Sequence, residues 1–452
     1  MSPPMSTPAP VLAPAPVPTP MPIPMTRDDC VALDAADALA PLRAQFDLPE
    51  GVIYLDGNSL GVLPRATPAR VAQVVAQEWG RGLIRSWNTA GWIDLPQRVG
   101  AGIARLIGAR PEEVIAADST SLNLYKVLSV AIARAGARTD AAARRVLVSE
   151  RDNFPTDLYI AESLARQHGL RLELVETADL PARIAGEAGR EVAVLMLTHV
   201  NYRTGRMHDM AALTAAAQAA GALTVWDLAH SAGAVPVDLN GCGADFAVGC
   251  GYKYLNGGPG APAFLWVASR HLQAMDAAGL WQPLAGWMGH AAPFDFVPGY
   301  APAPGVRGFL CGTPSVIALA ALEVGLETVL AAGPMGGMAA LRAKSLALTG
   351  LFIDLVERRC AGHGLALQTP REPALRGSQV SFLREEGGHA IVQALIARGV
   401  IGDFRAPGLL RFGFTPLYLG HADVWDAVEH LRQVLDGGEW REARFQARAA
   451  VT

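Results

Sequence analysis

The sequence predicts an α/β protein, a mostly parallel central sheet flanked by helices with a smaller α/β region after it. Two observations carry that expectation. The stretches VAVLML (192–197), ALTVWDL (222–228) and DFAVGC (245–250) are apolar without polar alternation, as strands covered on both faces are. An Ala-rich helical stretch at 209–220 lies between the first two, and alternation of strand with helix is how parallel sheets are connected.

Along the chain, residues 1–25 hold ten prolines, which remove backbone donors and disfavour helix and sheet alike; an extended, disordered lead is expected. Leu33, Ala36, Leu39 and Leu42 have helical spacing within 31–46, and VIYL (52–55) reads as a short strand before the turn DGNSLG. Between 64 and 107 the segments PRATPARVAQVVAQEW and LPQRVGAGIARLI predict two helices joined by a loop containing Trp87 and Trp92. A helix at 121–134, the strand RVLVS (145–149), a helix at 156–167 and the strand RLELV (171–175) follow.

Beyond 315, Ala, Leu and Glu at helical spacing predict one or two long helices to about 360. The strands QVSFL (379–383) and LLRFGF (409–414) then alternate with helices at 388–398 and 421–435. The expected division is the lead 1–25, an N-terminal segment 26–60 packing with the small domain, a large domain 61–314 and a small domain 315–452.

With 51% hydrophobic and 18% charged residues over 452 positions, the chain can bury a large core and is too apolar for a disordered protein. A net charge of -4 and no long basic run leave no footprint for nucleic acid. No uninterrupted apolar run reaches the roughly 18 residues of a membrane span, and the start lacks the basic and proline-free apolar segments of a signal peptide. Cys30, Cys242, Cys250, Cys311 and Cys360 are scattered without a C-x-x-C pair, which suggests reduced thiols in a cytoplasmic protein and no metal site.

The chemistry concentrates in TVWDLAHSAGAVPVDLNGCGADFAVGCGYKYLNGGPG, residues 224–260. Asp227 ends an apolar strand, where open α/β sheets present groups to ligands. A carboxylate there can hold a pyridine nitrogen protonated, making the ring the electron sink that pyridoxal phosphate provides. Lys253 follows another buried strand, and partial desolvation favours Schiff-base chemistry at a lysine. The surrounding glycines let the backbone turn sharply and approach a ligand. An Asp and a Lys at such a distance, or a Gly-rich turn, occur in many chains; it is their combination that points to this cofactor.

Seven segments make the reading specific: YLDGNSLG (54–61), STSLNL (119–124), DNFPTD (152–157), WDLAH (226–230), GYKYLNGGPG (251–260), GWMGH (286–290) and PLY (416–418). In that order they resemble the kynureninase family, fold-type-I pyridoxal phosphate enzymes of the aspartate aminotransferase superfamily that cleave L-kynurenine to anthranilate and L-alanine in tryptophan breakdown. The resemblance implies a homodimer with shared active sites. It also implies that Thr120 and Ser121 hold the cofactor phosphate at a helix start, that Phe154 stacks on the ring, and that Asp157 bonds near its O3′.

Thr198 and His230 are implied to lie beside the ring, and Tyr252 to touch the phosphate and donate a proton. By the same resemblance Trp287 and Thr313 reach the site across the dimer interface, Arg411 grips the substrate α-carboxylate, and Ser59 and Trp92 line the substrate pocket. Met288 and Thr313 depart from some relatives, which bears on the choice between kynurenine and 3-hydroxykynurenine; kynurenine is expected. The rival readings are another fold-type-I enzyme such as a cysteine desulfurase or an aminotransferase, a nucleotide-binding module, and a non-enzymatic regulator. Tyr252 before the lysine, where desulfurases place His, speaks against the first rival. The second lacks the G-x-x-x-x-G-K-[ST] order, and filled reactive positions speak against the third.

Overall fold

A seven-stranded sheet organises the protein. The computed structural model describes residues 26–137 and 144–447, so the expected Pro-rich lead lies outside the described residues. The strands are β1 Val114–Ala116, β2 Val146–Glu150, β3 Arg171–Val175, β4 Val192–Thr198, β5 Leu223–Asp227, β6 Phe246–Gly249 and β7 Phe264–Val267. Their order is β1-β7-β6-β5-β4-β2-β3, and the five from β6 to β3 run parallel. β7 lies antiparallel to both β6 and β1. Neither β1 nor β7 is among the expected strands: β1, three residues long, forms the edge, and β7 joins it to β6 by antiparallel pairing without an intervening helix.

Continuous apolar strands are explained by two cores. Leu195, Leu197, Trp226, Ala247 and Trp266 enter one; Val194, Met196, Val225, Val248 and Leu265 enter the other. Because successive side chains point to opposite faces, alternate residues of one strand fill different cores, and most positions are apolar. Helix α1 (Thr120–Gly136) adds Leu124, Val127 and Leu128 to the second core.

The two long helices expected after 315 are α3 (Val316–Leu330) and α4 (Gly337–Arg359), broken by a 3-10 turn at Gly333–Met335; α2, which bears on the site, is Pro155–Gln167. The stretch Val316–Met335 is apolar enough to span a membrane by length and composition, yet half of it is buried inside the fold and Glu323 and Glu327 interrupt it. The helix expected at 31–46 is instead Arg27–Ala35 followed by a 3-10 segment, Ala40–Gln45, with Pro41 at its start. A proline tolerates the first turn of a helix but cannot continue one. Likewise the helix from 64 is α only over Thr67–Gln73 and opens into a π-helix over Val74–Gly82.

A second sheet, antiparallel throughout, has the strands β8 Ala366–Leu367, β9 Gln379–Leu383, β10 Asp403–Arg405 and β11 Leu409–Gly413 in the order β10-β11-β9-β8. The N-terminal pair Ile53–Tyr54 runs parallel to Val400–Ile401. From there the chain crosses to the Lys253 turn, where Gly61 N–H donates to the Tyr252 carbonyl at 2.8 Å. A Cβ at Gly61 would fall 2.5 Å from the Lys253 carbonyl oxygen, so only glycine permits this approach. The crossing places the DGNSLG turn between the small sheet and the large one.

Candidate active site

Parallel pairing puts the functional groups at one edge. Thr198 and Asp227 are register partners at the carboxyl ends of β4 and β5, the end at which open α/β sheets bind ligands. Asp227 Oδ1 accepts from the Ala229 N–H at 2.7 Å. Asp157, in the first turn of α2, hydrogen-bonds Asp227 and stands 3.5 Å from Thr198 Oγ1. Asn153 completes the group by accepting from the Thr198 hydroxyl.

Burial pushes both carboxyls up, Asp157 well above the usual range, and at Asp157 the neighbouring Asp227 charge adds to it. Two buried carboxyls in contact cannot both ionise cheaply. The Lys253 ammonium opposes the shift at both, but it is held elsewhere. Its Nζ lies 2.9 Å from His230 Nε2. Burial, then Lys253, drives the His230 imidazole far below its ordinary value, so the ring is neutral and Nε2 accepts. Nδ1 of His230 is buried with no partner among the described residues.

The neighbouring end is built for an anion. Ser119, not Thr120 or Ser121, caps α1, its hydroxyl accepting from Leu122 N–H at 3.4 Å. That leaves the Thr120 and Ser121 amides and hydroxyls at the positive end of a 17-residue helix. Thr120, Tyr252, Gly260, Cys311 and Thr313 line one cavity of about 360 Å³. Burial raises the Tyr252 phenol above its ordinary value, with Cys250 the next contributor, so it stays protonated. Its ring centroid is 5.7 Å from Lys253 Nζ.

Phe154 is 42% exposed and meets Tyr202 edge-on at 5.2 Å; it is not the core aromatic that residue type alone suggests. Tyr202 in turn offers its carbonyl to Arg411 Nη1 at 2.8 Å. Arg411, on β11, is 2% exposed, so it is not a surface ion-pair residue. Its Nη2 donates to Ser59 Oγ at 2.6 Å, so these two expected pocket residues do meet. Asp403 and Asp56 stand beside them. Burial, then Asp403, pushes the Asp56 carboxyl up to about 7.

Two expected residues sit differently. Trp287 opens a 3-10 turn packed on the 310–313 loop, where Met288 N–H donates to the Cys311 carbonyl at 3.1 Å. Trp92 is not brought to the Lys253 cluster: its indole N–H donates to Glu78 at 2.7 Å, and it packs on Val74, Trp87 and Ala320. Tyr202, Asn153, Asp56 and Asp403 escaped the sequence reading. Asn153 and Asp56 had a signal, their places in DNFPTD and YLDGNSLG.

Residues 53–361 match the class-V aminotransferase model, and 341–431 match that of the kynureninase C-terminal domain. The kynureninase of Pseudomonas fluorescens is 57% identical over 429 residues, 94% of this chain and 100% of that protein. The chain belongs to the kynureninase family. The kynureninase of Burkholderia mallei (strain SAVP1) is equally similar, 57% over 427 residues, with 94% and 100% covered. Among solved structures, the cysteine desulfurase of Thermococcus onnurineus NA1 aligns at a TM-score of 0.73 and 20% identity, over 88% of this chain and 98% of its own. The cysteine desulfurase CsdA of Escherichia coli gives 0.70 and 21%, over 88% and 98%. At that identity the desulfurases share the fold alone.

Kynureninase-family membership brings with it the fold-type-I architecture, pyridoxal phosphate and hydrolytic carbon–carbon cleavage. The residues present fit that cofactor. Two buried carboxyls raised by burial stand near Lys253, an imidazole nitrogen has no partner among the described residues, and a helix start lines a cavity next to the lysine.

Proposed function

We propose that this chain hydrolyses L-kynurenine to anthranilate and L-alanine in the cytoplasm, using Lys253, Asp227 and Tyr252, as a homodimer with shared sites. The observation that carries the reading is the juxtaposition of Lys253 Nζ and His230 Nε2 at 2.9 Å beside the Asp157–Asp227 pair. When bound, pyridoxal phosphate supplies an electron sink for charge developing at the substrate Cα. Thr120 and Ser121 would hold its phosphate, Asp227 its ring nitrogen, Phe154 one ring face, and Asp157, Thr198 and His230 the ring edge.

Lys253 would anchor the cofactor, and its Nζ is the amine placed to move the Cα proton, with His230 accepting a hydrogen bond from it. Water adds across the Cγ carbonyl, the Cβ–Cγ bond breaks, and a proton returns to Cβ. Tyr252 is the acid for that last transfer, because burial keeps its hydroxyl protonated. For Tyr252→Phe we expect an intact cofactor absorption band with turnover reduced about 10²- to 10³-fold; unchanged turnover would remove this role.

Kynurenine is the preferred substrate over 3-hydroxykynurenine. Met288, which departs from some relatives, is fully buried in an apolar core against which Trp287 packs, so its effect on this choice acts through that neighbour. Comparing kcat/KM for the two tests this directly, and a higher value for the hydroxylated substrate overturns it.

A second copy accounts for apolar side chains that the single chain leaves exposed, among them Trp79, Ile84, Phe294 and Phe296. Thr313, exposed at the cavity mouth, and Trp287 would complete the partner's site. Mixed Lys253→Ala and Trp287→Ala subunits are then expected to recover activity that neither has alone, from about a quarter of the sites. No recovery after subunit exchange would mean that each site is built from one chain. We divide the chain as 26–60, 61–314 and 315–452, the first packing with the last, as the Ile53–Val400 and Tyr54–Ile401 pairing supports.

A further inference from the structure

Arg411 already holds a carboxylate. Asp403 on β10 is its register partner across the small sheet, is 1% exposed, and pairs with Arg411 Nη2 through Oδ2. A second guanidinium reaches the same group: Arg405, two residues along β10, places Nη2 2.8 Å from Asp403 Oδ2 and Nη1 3.0 Å from Oδ1. Ser59 Oγ, which accepts from Arg411, is also 3.2 Å from Asp403 Oδ2.

The two arginines differ in freedom. Arg411 is pinned from behind by the Tyr202 carbonyl at 2.8 Å and by the Asn58 amide 3.3 Å from its Nε. The Arg405 side chain is partly open to solvent, 38% exposed. Any incoming carboxylate that uses Arg411 meets Asp403 at hydrogen-bonding distance, and two anions on one guanidinium repel unless another cation takes one of them. Arg405 is that cation.

We propose that Asp403 is a place-holder for the substrate carboxylate on Arg411, and that Arg405 draws it aside as substrate binds. The proposal rests on the reading of Arg411 as the residue that grips the substrate carboxylate. Asp403 and Arg405 are positioning residues on this view. They set how available the Arg411 fork is, and a buried guanidinium is never left without a partner. A ligand without a carboxylate has nothing to exchange for Asp403 and leaves the pair closed.

The test uses the cofactor-loaded enzyme and three variants. Asp403→Asn keeps the shape but removes the competing charge; KM for L-kynurenine is expected to fall about threefold or more, with kcat within about twofold. Arg405→Gln strands Asp403 on Arg411, and KM is expected to rise about tenfold. Inhibition constants for L-alanine, a carboxylate that undergoes no cleavage, should move in the same two directions. Residues that merely brace the strands would raise KM, or lower stability, in both variants alike. Arg411→Gln is the reference, expected to raise KM about 100-fold. If it does so while Asp403→Asn leaves KM unchanged or raises it, the place-holder is wrong and the Arg411 reading stands. If Arg411→Gln leaves KM unaltered, the Arg411 reading itself has failed.

Discussion

Replacing Lys253 with alanine should abolish anthranilate release, with turnover at least about 10⁴-fold down, the upper end for losing a positioned acid–base group. The effect is large because one amine has two tasks, anchoring the cofactor and moving the Cα proton. Its place is fixed by backbone: β6 ends at Gly249, and the following turn is pressed by Gly61 on one side and held near His230 on the other. The wild-type protein should show the visible absorption band of a lysine-linked cofactor, which borohydride traps at Lys253. A Lys253→Ala protein that still gave a borohydride-trapped band would sink the assignment, whatever its residual turnover.

Asp227→Asn should cost about 10³-fold in kcat, the scale for removing one preorganised electrostatic partner of a developing charge. The amide fills the same space between Ala229 N–H and Asp157 but cannot hold a pyridine nitrogen protonated. Stability should move the other way in the cofactor-free protein. The Asp227 carboxyl is raised by burial above its ordinary value near 3.8, so the folded state binds its proton more tightly than the unfolded one. Its contribution is full below that ordinary value and is lost as pH rises through the raised one. Cofactor-free Asp227→Asn should therefore melt higher than wild type at pH 8, with the gain gone near pH 4. A variant that melted lower at both pH values would show that the pair is not under this tension.

The large sheet was legible because three of its strands are apolar at nearly consecutive positions, and burial on both faces makes such a run. The same strands announce Asp227 and Lys253, since each follows or ends an apolar run. What stayed hidden was either short or tertiary. β1 is only three residues long, and β7 pairs antiparallel with β6, outside the strand–helix alternation that marks the others. The break at Pro41 was visible as a residue, but helical leucine spacing on both sides masked it.

Asp403 could not be found by pattern, because its partner Arg411 is chosen by cross-strand register rather than by local spacing. Tyr202 contributes to Arg411 a carbonyl oxygen, which no side-chain motif records. Trp92 shows the reverse: a plausible pocket residue by resemblance, it is engaged by Glu78 and a separate apolar cluster once the chain folds. His230 owes its chemical interest to burial and to Lys253; in the linear chain it is only a histidine three residues after an aspartate.

Anthranilate fluorescence on adding L-kynurenine, with and without pyridoxal phosphate, tests the central claim most directly. Protein stripped of cofactor should release none, and adding pyridoxal phosphate should restore release at a rate that Lys253→Ala cannot support. Cofactor-loaded wild-type protein that binds L-kynurenine yet forms no anthranilate would contradict the proposed reaction.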